Sequence, residues 1–131
     1  MDSLMLASTK DISLKSIETL IESDFDVEHR DTIASPVLTI KSKEGKFVTE
    51  VFAFGDEDNE DTMDDLVHMG LAMPDDFKRA IDSKSVRFLM VTYRPEEAQN
   101  VNKIATALWK AEIAAYSVTD AVQELAGTPV I

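Results

Sequence analysis

Seven carboxylates lie within eleven residues, in the segment GDEDNEDTMDD at positions 55 to 65. Carboxylates at this density can bind a cation, attract a basic protein, or form the solvated start of a helix. Two or three acidic residues are enough for a helix start, where each contributes about 0.3–1 kcal/mol. The surplus predicts a docking surface for a basic partner, with a solvated helix start as the simpler interpretation. The residues concerned are Asp56, Glu57, Asp58, Glu60, Asp61, Asp64 and Asp65.

The cation interpretation fails on spacing. An EF-hand loop that begins at Asp56 requires glycine at its sixth position, for the turn, and a bidentate glutamate at its twelfth. Asp61 and Val67 occupy these positions. We therefore expect no dedicated metal site and no cofactor.

The chain is negatively charged, and much of this charge is concentrated in one segment. The net charge is −12, and residues 55 to 82 alone hold ten acidic and two basic residues. A negative field of this kind repels nucleic acid and anionic membranes, and it steers basic proteins towards the molecule. The predicted partner is therefore a basic protein, with no direct binding of nucleic acid and no membrane binding.

Composition restricts the compartment and the domain count. The chain has 131 residues and no cysteine, which excludes disulfides and thiolate chemistry. It has no apolar run of the length that a membrane span requires, and Asp2 stands where a signal peptide carries a basic residue. We expect a single acidic domain over residues 1–131, located in the cytoplasm.

Catalytic motifs are scarce. His29 and His68 are the only histidines, and no third ligand motif accompanies them. The four glycines form no phosphate-binding cluster, and there is no G-x-S-x-G nucleophile elbow. These patterns predict a protein that is not an enzyme and has no catalytic residues.

The periodicity of apolar residues predicts the elements that carry the acidic segment. Gly45 marks a hairpin between two strands, and the nearly continuous apolar run VRFLMVTY predicts a buried central strand. The predicted elements are a helix from Lys10 or Asp11 through Ile21, a short strand in DFDVEHRD, strands Val37–Ser42 and Lys46–Phe54, a helix of about ten residues around Met63 to Ala72, a short helix from Pro74, and strand Val86–Tyr93.

The last third of the chain carries an unbroken heptad pattern. No helix breaker occurs between Pro95 and Gly127, and apolar residues recur there at alternating spacings of three and four. The pattern predicts one long C-terminal helix, about 48 Å if continuous, and a homodimer formed through it. A break near Ser117 is the alternative. The predicted dimer interface comprises the heptad residues Val101, Ile104, Leu108, Ala111, Ala115, Val118, Val122 and Leu125, together with Trp109 and Tyr116 from a second apolar stripe on a neighbouring face.

The fold class that follows is α+β, with an antiparallel sheet of three to four strands, helices mainly on one face and a long C-terminal helix. The leading functional hypothesis is a non-enzymatic protein-binding domain that engages or inhibits a basic partner, in the manner of immunity proteins or phage anti-defence inhibitors. An alternative is a small acidic chaperone or adaptor for secreted or unfolded chains, with an apolar groove near Met69, Met73 and Phe77.

A second alternative is a metal-dependent hydrolase. The predicted order of helix, three strands, helix and strand resembles the PD-(D/E)XK nuclease core. The family motif of an aspartate, followed by an acid and a lysine two positions apart, matches only Asp31 with Glu44 and Lys46. Glu44 and Lys46 lie at the predicted hairpin tip, however, and Glu50 in the strand is followed by Phe52 where a lysine is required. The resemblance implies that Asp31, Glu44 and Glu50 would have to converge in three dimensions.

Overall fold

A computed structural model of the chain describes residues 1–31 and 36–131. These residues form seven strands and four helices, in the order β1 Asp2–Ser8, α1 Leu14–Ile21, β2 Asp26–Asp31, β3 Pro36–Lys41, β4 Phe47–Ala53, α2 Asp56–His68, α3 Asp75–Asp82, β5 Arg87–Tyr93, α4 Ala98–Lys110, β6 Tyr116–Val118 and β7 Val122–Glu124. Within the described residues, no helix combines the length and the apolar character needed to cross a membrane.

The strands form one antiparallel sheet in the order β2-β3-β4-β5-β1-β6-β7. β5 lies at the centre, as its apolar sequence predicts, and it pairs with β1 along its full length, from Asp2 opposite Tyr93 to Ser8 opposite Arg87. The prediction of three to four strands is wrong. The N-terminal strand β1 went unrecognised because its apolar run is short, and β6 and β7 fall in the segment that was predicted to be helical.

Two hydrophobic cores lie on opposite faces of the sheet. The first core contains α1 and α4, and the second contains α2 and α3. β1 supplies both: Leu4 and Leu6 belong to the first core, whereas Ala7 belongs to the second and Met5 packs against it. The α+β class is right, but the prediction that helices lie mainly on one face is wrong. A central strand with apolar side chains on both faces needs cover on both sides.

The predicted long C-terminal helix is also wrong. A 3-10 turn over Pro95–Glu97 leads into α4, which ends at Lys110. Glu112 has a left-handed backbone, with φ of 59°, and its N–H donates to the carbonyl of Trp109 at 3.0 Å. The N–H of Ile113 donates to the carbonyl of Leu108 at 2.9 Å, which completes a Schellman motif. The helix thus ends without the glycine by which such an end is usually recognised.

The chain's own cores account for most of the heptad pattern. Val101, Ile104, Leu108 and Leu125 are buried in the first core, and Tyr116, Val118 and Val122 are buried in the second. Trp109 and Ala115 are half-buried, and Ala111 is exposed at the end of α4. These residues therefore do not form a continuous surface seam. The homodimer stays a prediction, and the heptad pattern no longer supports it.

The left-handed residue after α4 gives a stability prediction. We expect Glu112→Gly to raise the free energy of unfolding by about 0.5–1 kcal/mol, because glycine adopts positive φ without strain. The Lys10–Glu112 ion pair, at 3.7 Å and largely exposed, adds little. Urea denaturation measures the change. Gln99→Gly, at an exposed helical position of α4, is the control and should cost about 1 kcal/mol. Equal losses in both variants would contradict the observed helix end.

A buried carboxylate fixes the start of α4. Glu97 is only 4% exposed, accepts a hydrogen bond from the side-chain amide of Asn100 at 2.8 Å, and pairs with the ammonium of Lys46 at 3.0 Å. These hydrogen bonds, that of Asn100 first, hold the pKa of Glu97 below its ordinary value. Since Lys46 directly precedes β4, the pair joins α4 to the β3–β4 hairpin.

The lowered pKa of Glu97 predicts that the protein loses stability as the pH becomes acidic. The unfolded carboxyl binds its proton more readily, so the stabilisation is complete above the ordinary glutamate value of about 4.3 and is lost as the pH falls below it. We expect the stability of Glu97→Gln to fall less steeply than that of the wild type between about pH 6 and pH 3. Glu96→Gln, at the exposed neighbouring position, should keep the wild-type slope in the same denaturation series.

Candidate functional site

The acidic segment forms the first part of a helix. α2 begins at Asp56, directly after its N-cap Gly55, and continues to His68. Sequence analysis placed this helix too late, around Met63 to Ala72. Asp56, Glu57 and Asp58 occupy its first turn, where the positive end of the helix dipole favours them. The start of the helix therefore accounts for three of the seven carboxylates.

All seven predicted partner-binding carboxylates are exposed on α2. The buried side of the helix consists of Asn59, Met63 and Leu66, spaced four and three residues apart. Asn59, one of two uncharged polar residues inside the acidic run, was not among the predicted functional residues. Its position within an i, i+4, i+7 pattern was the signal for burial.

Asn59 attaches α2 to the central strand. Its side-chain amide donates to the carbonyl of Val86, and its side-chain oxygen accepts from the backbone N–H of Phe88 at 2.9 Å. The β4–β5 ladder ends at Ala53 opposite Leu89, so these two backbone groups lie beyond the last paired residue. The Asn59 side chain thus replaces a neighbouring strand, and it holds the acidic helix in one position over the sheet.

This contact gives a second stability prediction. Asn59→Ala leaves the buried carbonyl of Val86 and the buried N–H of Phe88 without partners, and we expect the free energy of unfolding to fall by about 1–3 kcal/mol. Chemical denaturation followed by circular dichroism measures it. Glu57→Ala, on the exposed side of the same helix, is the matched control and should stay within about 0.5 kcal/mol. A loss in Asn59→Ala no greater than in the control would contradict the anchoring role.

Two of the seven carboxylates form ion pairs with the β5 region. Asp56 contacts Arg87 at 2.7 Å, and Glu60 contacts Lys84 at 3.1 Å. The hydrogen bond with Asp56 raises the pKa of the Arg87 guanidinium, which also lies 3.5 Å from Asp11. Within residues 1–31 and 36–131, the remaining five pair with no basic side chain. We call these five the acidic face: Glu57, Asp58, Asp61, Asp64 and Asp65.

One edge of the acidic face borders an aromatic surface. Phe52 and Phe54 stack with their ring centroids 6.0 Å apart and their planes 18° apart. Between these rings and α2 is a cavity of about 310 Å³, which we call the aromatic–acidic groove. It is lined by Phe52, Ala53, Phe54, Gly55, Asp58, Asp61 and Thr62. The predicted strand Lys46–Phe54 contains both rings, but no sequence pattern connected them with the acidic segment.

The groove predicted for a chaperone is present only in part. Phe77 is fully buried, whereas Met69 is exposed and Met73 is half-buried. A shallow cavity of about 270 Å³ lies between α2 and α3, and its lining includes Met73 but neither Met69 nor Phe77. Val67 and Met69 expose apolar surface at the end of α2.

Among the residues that the structure describes, those of the hydrolase alternative are not brought together. Glu44 is exposed in the β3–β4 turn, and Glu50 pairs with Arg30 at 2.9 Å. The side chain of Asp31 lies outside the described part of the chain. No group of three or more His, Cys, Asp or Glu residues with metal-binding geometry occurs among the described residues. The hydrolase alternative stays a prediction.

Comparison with known proteins identifies no relative: no family model, no curated protein and no solved structure matches the chain.

Proposed function

We propose that this chain is a non-enzymatic protein-binding domain of the cytoplasm, which engages or inhibits a basic partner protein through the acidic face of α2. The observation that carries the proposal is the acidic face itself: five exposed carboxylates on one helix, without a basic partner in the described chain. In this proposal the chain acts in the manner of an immunity protein or a phage anti-defence inhibitor, and the basic partner that it neutralises is a nucleic-acid-binding protein.

Electrostatics favours a basic partner for two reasons. Neighbouring carboxylates repel one another within a Debye length, which is about 8 Å at physiological salt, so a partner's lysine or arginine relieves repulsion as well as adding attraction. The helix is also anchored through Asn59. A rigid array needs little ordering on binding, and this lowers the entropic cost of association.

The small chaperone or adaptor is the second candidate, and one observation favours it. Val67 is 57% exposed and Met69 is 68% exposed, beside the cavity between α2 and α3. An apolar client bound there would be held by surface burial and would respond weakly to salt. Salt dependence therefore separates the two candidates.

The test uses two charge-matched variants as bait in a lysate of the organism that encodes the protein. The first neutralises the acidic face by five amide substitutions: Glu57→Gln, Asp58→Asn, Asp61→Asn, Asp64→Asn and Asp65→Asn. The second neutralises five exposed carboxylates elsewhere, at Asp24, Glu44, Glu96, Asp120 and Glu124. Asp56 and Glu60 stay unchanged because they pair with Arg87 and Lys84.

We expect the wild type and the second variant to retain a common basic protein that the first variant loses. The purified partner should then bind the wild type about tenfold or more weakly at 500 mM than at 50 mM salt, because added ions screen exposed charges. A partner retained equally by both variants, or an affinity that does not change with salt, would refute the acidic-face mechanism and favour apolar docking.

A further inference from the structure

The aromatic–acidic groove lies at the margin of an uncovered part of the sheet. Val37, Phe52 and Met90 form a cross-strand row with Met5, on the face that α2 and α3 cover elsewhere. Met5 packs against the second core, but Val37, Phe52 and Met90 are half-buried and belong to neither core. This part of the sheet is therefore an apolar face that no helix of the described chain covers.

The charges beside this face determine what can occupy it. Asp58 and Asp61 line the same groove as Phe52 and Phe54, and neither aspartate pairs with a basic side chain in the described chain. The two bases that pair with α2, Lys84 and Arg87, contact Glu60 and Asp56 instead, and they do not line the groove. An anionic or purely apolar occupant would desolvate the two carboxylates without compensation.

We propose that the aromatic–acidic groove receives an arginine side chain of the partner protein, with the guanidinium against the ring of Phe52, since Phe54 lies between Phe52 and Phe88, and with its N–H groups directed to Asp58 and Asp61. The proposal rests on the proposed function and assigns it a specific contact. It commits the groove to a basic protein segment, in agreement with the charge of the chain.

Arginine fits both walls of the groove better than lysine does. Its planar guanidinium stacks on aromatic rings and donates several N–H bonds in a fixed fork, whereas the lysine ammonium is a strongly hydrated point charge. The chain already contains a contact of this type, since the guanidinium of Arg94 lies 5.8 Å from the ring centroid of Phe47, also in β4.

The experiment titrates the ¹⁵N-labelled protein with acetylated, amidated tetra-arginine and follows backbone amide shifts. The tetra-citrulline peptide is the matched probe, because citrulline has a similar shape and no charge. We expect saturable shifts concentrated between Phe52 and Thr62 with tetra-arginine, and no saturation with tetra-citrulline. Tetra-lysine should bind more weakly than tetra-arginine.

Three variants locate the contact. We expect Asp58→Asn with Asp61→Asn to weaken tetra-arginine binding by about tenfold, and Phe52→Leu to weaken it about three- to fivefold, as the loss of an exposed cation–π contact implies. Asp24→Asn with Glu44→Gln removes the same charge from exposed positions outside both the acidic face and the groove, and it should change affinity by about twofold at most, because salt screens the remaining charges. Each variant's own spectrum reports whether it is folded.

Equal effects of the two charge pairs, an unchanged affinity in folded Phe52→Leu, or shifts centred on Glu57 and Asp64 would overturn the groove proposal. The proposed function would survive any of these results if the native partner kept its dependence on the acidic face and on salt. Loss of that dependence, with tetra-arginine still bound in the groove, would instead refute the function and leave the groove as a cation site.

Discussion

Two hydrogen bonds between the Asn59 side chain and the backbone of Val86 and Phe88, at the start of β5, determine how α2 presents its acidic surface. The pairing of β4 with β5 ends at Ala53, opposite Leu89, although β5 itself already begins at Arg87. The carbonyl of Val86 and the N–H of Phe88 are thus buried next to a position that no strand occupies. Leaving such groups unpaired is costly, so the helix that supplies their partner is held in place. The position of α2 follows from this requirement of the backbone, together with the burial of Met63 and Leu66.

Repulsion among the carboxylates of α2 destabilises the fold in this position. The helix dipole stabilises the carboxylates of the first turn, and Arg87 and Lys84 offset Asp56 and Glu60. Asp61, Asp64 and Asp65 receive neither compensation within the described chain. Exposed ion pairs contribute little even where they form, typically about 0–1 kcal/mol. Asp61, Asp64 and Asp65 therefore do not stabilise the isolated domain, and a basic side chain from outside it would relieve their repulsion. This is the physical argument for a basic partner.

Sequence patterns identified the elements whose signals are local. The hairpin at Gly45, with its φ of 87°, and the central apolar strand β5 occur where periodicity and turn chemistry predicted them. The first helix was predicted with its correct apolar face, but it begins at Leu14 and not at Lys10 or Asp11, because Ser13 caps it. The errors arise where the deciding interaction is not local. α4 ends at a left-handed Glu112, and no glycine or proline marks that end. Beyond it, the heptad spacing continued by coincidence: Val118 and Val122 are four residues apart because they lie opposite each other in the antiparallel pair of β6 and β7. β1 became recognisable only through its pairing with β5 and β6.

The aromatic–acidic groove could not be predicted from either of its components, yet all of its lining residues lie between positions 52 and 62. Only Phe54 and Gly55 separate the end of β4 from the start of α2, so the aromatic end of the strand and the first turns of the helix are adjacent. The strand pattern indicated that Phe52 and Phe54 share a face, and the acidic run indicated negative charge. Neither pattern predicts the direction in which α2 leaves the sheet. Asn59 sets that direction, since its contact with β5 holds Met63 and Leu66 over the second core and brings Asp58 and Asp61 to the edge beside the rings. The same anchor therefore shapes both the acidic face and the groove, so the two surfaces meet any partner as one unit.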